Sequence, residues 1–144
     1  MSAPEIETPV NEPIDVNPRA EDVIAFPTGL PGFESCRRFV VMSREDAAPL
    51  CWLQGLDEPR PAFLAIDPAL VLENYRMRLG PADHQRLDAR EDDPLLWLAI
   101  VTIASDDTAT VNLRAPIVIN PRRMMGFQVV PHESLYPLRH PLSF

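Results

Sequence analysis

The residues in this chain whose types could do chemistry are three histidines, two cysteines and two runs of acids. His84, His132 and His140 form neither H-x-x-x-H nor H-E-x-x-H, the spacings that put ligands on one helix face to hold zinc. "HES" at 132–134 sets an acid near His132 but brings no further ligand at metal spacing. These histidines are expected at the surface or against a partner. Cys36 and Cys51 stand apart, with no C-x-x-C. Cys36 with a distant histidine would make a thiol nucleophile, but a cysteine serving as a small buried apolar residue is far commoner. Two free thiols in a reducing compartment are the expectation. Glu91-Asp92-Asp93 and Asp106-Asp107 pair carboxylates as acid–base chemistry would want. Both runs lie beside expected strand ends, where acids serve turns. The P-loop is excluded, because it needs a lysine and all 13 basic residues are arginines. G-x-G-x-x-G and the G-x-S-x-G elbow are also absent. No catalytic residue, metal ligand or cofactor is assigned.

Charge narrows the partners. The formal net charge of −8 argues against a general nucleic-acid binder, which needs a basic face. The charge is uneven: from residue 108 onward, Arg114, Arg122, Arg123 and Arg139 face only Glu133, so the acidity sits in the rest of the chain. An acidic body suits solubility or a basic partner. An OB-like barrel that binds RNA directly is the alternative reading. It would need an aromatic stacking face, and only 7% of residues are aromatic. The N-terminus has no basic and apolar leader, and no apolar run is long enough to span a bilayer. A cytoplasmic protein is expected.

The elements that would position these residues are short, since 17 prolines cut the chain repeatedly. Residues 1–20 are Pro-rich and acidic, and are expected to be a disordered tail before a single domain over 21–144. Strands are expected at "EDVIAF", "RRFVVMS", "PLCWLQGLD" and "PAFLAID". "GLPGF" places Pro31 where a fixed negative φ is wanted and Gly32 where a positive φ is wanted, a type II turn in which Gly29 also takes part. "YRMRL" at 75–79 alternates apolar and basic residues, which predicts a half-buried strand. A helix running from Asp67-Pro68 to Gly80-Pro81 is the rival. "PADHQRLDAR" is the best helix candidate. "PLLWLAIVTIA" reads as a central strand, followed by "ATVNLRAPIVIN" and "MGFQVV". The fold class is all-β and mainly antiparallel, a small barrel-like or sandwich domain with one short helix.

Pro116 and Pro121 bracket Ile117-Val118-Ile119, as apolar and β-prone as three residues can be. Proline is normally kept to edge strands, strand starts or bulges, so this run is expected at an edge that a partner covers. Val111 and Leu113 share one parity, which would carry Ile117 and Ile119 into the core and leave Val118 facing outward. The alternative is a strand buried on both faces.

Several stretches in order, "EDVIAFPTGLPGFESCRRFVV", "AFLAIDP", "YRMRL", "LAIVTI", "TVNLRAPIVIN" and "LRHPL", resemble the FliW family of bacterial flagellar assembly factors. The resemblance covers about residues 21–142. It implies a small β-barrel-like fold without catalysis, and two partners. One is flagellin held in the cytoplasm; the other is CsrA, an RNA-binding regulator that represses flagellin translation. Flagellin would occupy the protein until export drains it, and the freed protein would then loosen CsrA from messenger RNA. The expected partner-binding residues are Arg114, Pro116, Val118, Asn120, Tyr136 and Arg139.

Overall fold

In the computed structural model the described residues are 18–130 and 135–143. The expected tail lies outside them except for its last three residues, and His132 lies outside them as well. Among the described residues, nine strands follow a 3-10 turn at Ala20–Asp22: β1 (Ile24–Ala25), β2 (Arg38–Ser43), β3 (Cys51–Gly55), β4 (Ala62–Ile66), β5 (Leu96–Ile103), β6 (Ala109–Val111), β7 (Ile117–Asn120), β8 (Met125–Gln128) and β9 (His140–Leu142). Among the described residues one α-helix, α1 (Pro81–Leu87), lies between β4 and β5. No helix among the described residues is long and apolar enough to cross a membrane.

Seven strands close a ring in the order β4-β3-β2-β1-β8-β7-β5, with β5 returning to β4. A ring of alternating directions cannot close on an odd number of strands, so one neighbouring pair must run parallel. That pair is β1–β8, joined at Ala25 and Met125; the other neighbours are antiparallel. β5 is long enough to pair β7 with its first half and β6 with its second, and β9 adds to the far side of β6.

Alternation along the strands sorts the side chains into three cores. Phe39, Leu53, Phe63, Ala65, Leu98, Ile100, Ile117 and Ile119 fill the barrel. Phe26, Leu30, Phe33 and Cys36, from the corner that follows β1, pack into the same core. Phe26 meets Phe39 edge-on at 4.9 Å and Phe33 meets Phe63 at 5.3 Å. The opposite faces of β4 and β5 present Leu64, Ile66, Ala99 and Val101, which Val111, Leu113, Tyr75 and Tyr136 cover. A third cluster joins Leu87 of α1 to Val118, Phe127 and Val129. Each large apolar side chain buried this way contributes about 1.5–3 kcal/mol.

The third cluster corrects the reading of the proline-bracketed run. β7 is a ring strand with β5 on one side and β8 on the other, not an edge. Its prolines stand just outside the ladder: Pro116 precedes it and accepts Val129 N–H through its carbonyl, and Pro121 follows it. Val118 does point away from the barrel, as its parity requires, but it is wholly buried because α1 and Trp97 lie over it. Pro116 and Asn120 are buried too. Asn120 Nδ2 donates to Leu87 O at 3.0 Å and Asp88 O at 3.3 Å, while its Oδ1 accepts Arg122 N–H at 3.1 Å. Val111 and Leu113 do not share the core of Ile117 and Ile119. The chain turns between them, with Asn112 Oδ1 accepting the N–H of Arg114 and of Ala115.

Two further expectations change. Residues 75–79 form neither strand nor helix, because no strand among the described residues pairs with them. Their burial still alternates: Tyr75, Met77 and Leu79 are half-buried, while Arg76 and Arg78 are exposed. The helix ends at Leu87, three residues before Arg90, with Asp88 left-handed at φ +50°. Its start follows the sequence, with Pro81 in the first turn and the Asp83 carboxylate accepting Gly80 N–H at 3.0 Å. β9, within "LRHPL", has no signal of its own in periodicity and is formed by pairing to β6.

Candidate partner-binding surface

With Pro116, Val118 and Asn120 inside, the exposed members of the expected set are Arg114 and Arg139, with Tyr136 half-buried between them in the chain. The structure brings Arg114 and Tyr136 together. Arg114 Nε donates to Tyr136 O at 3.1 Å, and Leu113 N–H donates to Pro137 O at 3.1 Å. These bonds hold the approach to β9 against the end of β6. On the other side of Tyr136 lies Tyr75, the first residue of the alternating run: the two rings meet at 4.5 Å. Tyr75 Oη donates to Leu113 O at 2.8 Å, and Tyr136 Oη accepts Arg76 N–H at 2.8 Å. Burial, with the neighbouring Tyr136, pushes the Tyr75 phenol well above its ordinary range, so it stays a neutral donor.

This seam is basic on an acidic protein. Arg76, Arg78, Arg114 and Arg139 are all exposed. Among the described residues the first three make no salt bridge, in contrast to Arg38, Arg122 and Arg123, which pair with Asp57, Asp93 and Asp88. Beside the seam a cavity of about 280 Å³ opens between Asp67–Ala69 and Tyr75–Arg78, with Trp97 lining it. The larger cavity, about 470 Å³, lies between β2 and the β7–β8 turn and is mainly apolar, with Ile24, Met42, Leu96 and Met124 in its wall.

Other candidate chemistry does not assemble. No group of three or more His, Cys, Asp or Glu side chains among the described residues could hold a metal. Cys36 and Cys51 are free and buried; burial raises both thiols, Cys51 to about 11, the opposite of nucleophile activation. Asp93 accepts Arg90 N–H and two bonds from Arg122, and Asp106 accepts the N–H and hydroxyl of Thr108, which ties both acids to turns. His140 Nδ1 lies 2.8 Å from Pro141 O. The corner at Gly29, Pro31 and Gly32 has φ of +65° at Gly29 and +86° at Gly32, with Phe33 N–H donating to Leu30 O at 2.7 Å.

A profile of the family described as FliW protein matches residues 5–142. The chain belongs to the FliW family. The flagellar assembly factor FliW of Natranaerobius thermophilus is 37% identical over 131 residues, covering 90% of this chain and 85% of its own. The FliW of Geobacter sulfurreducens is 37% identical over 120 residues, covering 83% and 75%. The crystal structure of a flagellar assembly factor FliW aligns with a TM-score of 0.82 at 29% identity, over 94% of both chains. The closed seven-stranded barrel with one helix is thus the FliW fold. The role these relatives' names give is flagellar assembly, with no reaction attached. Sequence reasoning missed Tyr75 and Arg76 as part of the seam. The signal was present in the alternation of "YRMRL", but a strand reading directs attention to ladder partners rather than to a tyrosine pair.

Proposed function

We propose that this chain is a non-enzymatic, cytoplasmic flagellar assembly factor that binds flagellin and antagonises CsrA, so that flagellin synthesis follows export. The observation that carries this reading is the match of nearly the whole chain to flagellar assembly factors in both sequence and fold. The net charge of −8 supports it. An RNA-binding regulator must carry a positive surface, and an acidic protein docked beside it repels phosphate. Direct RNA binding by this chain is disfavoured because it carries a net charge of −8 where a general nucleic-acid binder needs a basic face. Arg114, Tyr136 and Arg139 remain the proposed partner contacts.

Capture from a flagellated lysate, read by mass spectrometry, should return flagellin and the regulator; return of neither sinks the proposal. Saturating amounts should lower CsrA affinity for RNA to a plateau set by the coupling between the two sites. Strict competition for the RNA surface, or salt-sensitive RNA binding by the protein alone, contradicts it.

A further inference from the structure

The cavity beside the Tyr75–Tyr136 seam is lined by apolar side chains and by arginines that have no charge partner among the described residues. Met77 and Trp97 line it, both half-buried. A flexible thioether and a large indole are the side chains that adapt to an inserted apolar group and anchor interfaces. Arg76 and Arg78 stand on one wall, exposed and without a salt bridge among the described residues. The backbones of Met77 and Arg78 are hydrogen-bonded to no other described residue. The wall is nevertheless fixed at both ends. Tyr75 and Arg76 are bonded to Leu113 and Tyr136, and Leu79 packs into the cluster under α1. The acid on the opposite wall is committed elsewhere, since Asp67 Oδ1 accepts Ala69 N–H at 2.9 Å and caps the turn over Pro68.

We propose that this groove is a docking site for a short extended partner segment in which one apolar side chain is flanked by carboxylates. The apolar side chain would enter the cavity of about 280 Å³ over Trp97 and Met77. The flanking carboxylates meet the forks of Arg76 and Arg78, whose planar donors match carboxylate geometry. The open backbone of Met77 and Arg78 pairs with the segment as a strand edge does. Because the wall is already held in place, little ordering cost falls on binding. The charge decides the partner: on a chain of net −8, two uncommitted arginines over an apolar cavity select an acidic segment and not a basic one. The inference does not rest on the flagellin and CsrA reading, and its test uses neither protein.

The test is calorimetric titration with a blocked peptide, Asp-Glu-Leu-Glu-Asp, beside its amide counterpart, Asn-Gln-Leu-Gln-Asn. The acidic peptide should bind about tenfold more tightly, as two exposed charge pairs allow, with affinity falling as salt rises. The double variant Arg76→Glu, Arg78→Glu should keep the wild-type melting curve and lose the acidic peptide. The proposal is overturned if wild type binds neither peptide, if it binds both equally, or if the double variant binds as wild type does. It is overturned equally if a single-stranded oligonucleotide binds at this site in preference to the peptide, because the arginines would then serve phosphate.

Discussion

Gly29 and Gly32 occupy the same corner but carry different burdens. Gly32 reaches φ +86° with open space where a Cβ would stand. At Gly29 a Cβ would lie 2.7 Å from Glu34 Cα and 2.8 Å from Phe33 O, backbone atoms that cannot swing aside. The sequence singles out Gly32 as the position demanding glycine; the structure ranks Gly29 above it. Gly32→Ala should cost about 1 kcal/mol from backbone strain alone. Gly29→Ala should cost about 2–4 kcal/mol, because the corner carrying Leu30, Phe33 and Cys36 into the barrel core must shift. Denaturant melts of the two variants check the order, and equal midpoints would refute it.

α1 and β7 depend on one another. α1 has only seven residues, too few to persist alone in water. It is held by Leu87 against Val118 and Phe127, by Arg86 stacked 3.9 Å over the Phe127 ring, and by the Asn120 amide at its C-terminal carbonyls. In return it makes the outer face of β7 a core. Val118→Arg should therefore destabilise by several kcal/mol, since a charge would be buried without a partner. Asn120→Ala leaves the Leu87 and Asp88 carbonyls without that donor and should cost about 1–3 kcal/mol. Hydrogen exchange locates the loss: amides of residues 81–87 should exchange faster while those of β5 keep their protection. Uniform loss across both would mean that α1 is not a separable layer.

At the scale of the molecule, acids clasp loops to the barrel and set its tolerance of pH. Asp57 takes two bonds from the Arg38 guanidinium and one from each N–H of Arg37 and Arg38, and the Arg38 bonds chiefly hold its carboxyl below the usual range. The Arg90 N–H, then Arg122, does the same for Asp93, and the Thr108 hydroxyl for Asp106. A carboxyl whose folded pKa is depressed contributes stability that is present above its unfolded pKa and is lost as pH falls through the folded value. The melting temperature should thus hold from neutrality to about pH 5 and decline below about pH 4. Asp57→Asn should melt lower at neutral pH and show a shallower acid decline. An acid limb identical to wild type would show that Asp57 is not one of the groups that set it.

Strand runs such as "RRFVVMS" and "PLLWLAIVTIA", the GLPGF corner and the start of α1 were legible because each depends on neighbours in sequence: period-two alternation, a proline–glycine turn, a proline in the first helical turn. The family was legible for a related reason, since its motifs are local strings. The parity of Ile117, Val118 and Ile119 was legible too, but not what covers each face. That depends on α1, which precedes β7 by thirty residues and packs over Val118 through Leu87. "YRMRL" shows the same limit from the other side, because its alternation is real while a strand also needs a neighbour to bond, and among the described residues no strand pairs with it. By itself the sequence determined the β-rich class, the local turns and the alternation of faces, because these follow from each residue's own backbone and side-chain preferences. Only the tertiary structure decided that the ring closes through a parallel β1–β8 pair, that Val118 is core, and that Arg114, Tyr136, Tyr75 and Arg76 meet on one seam. Those outcomes rest on contacts between residues far apart in the chain, which no local preference encodes.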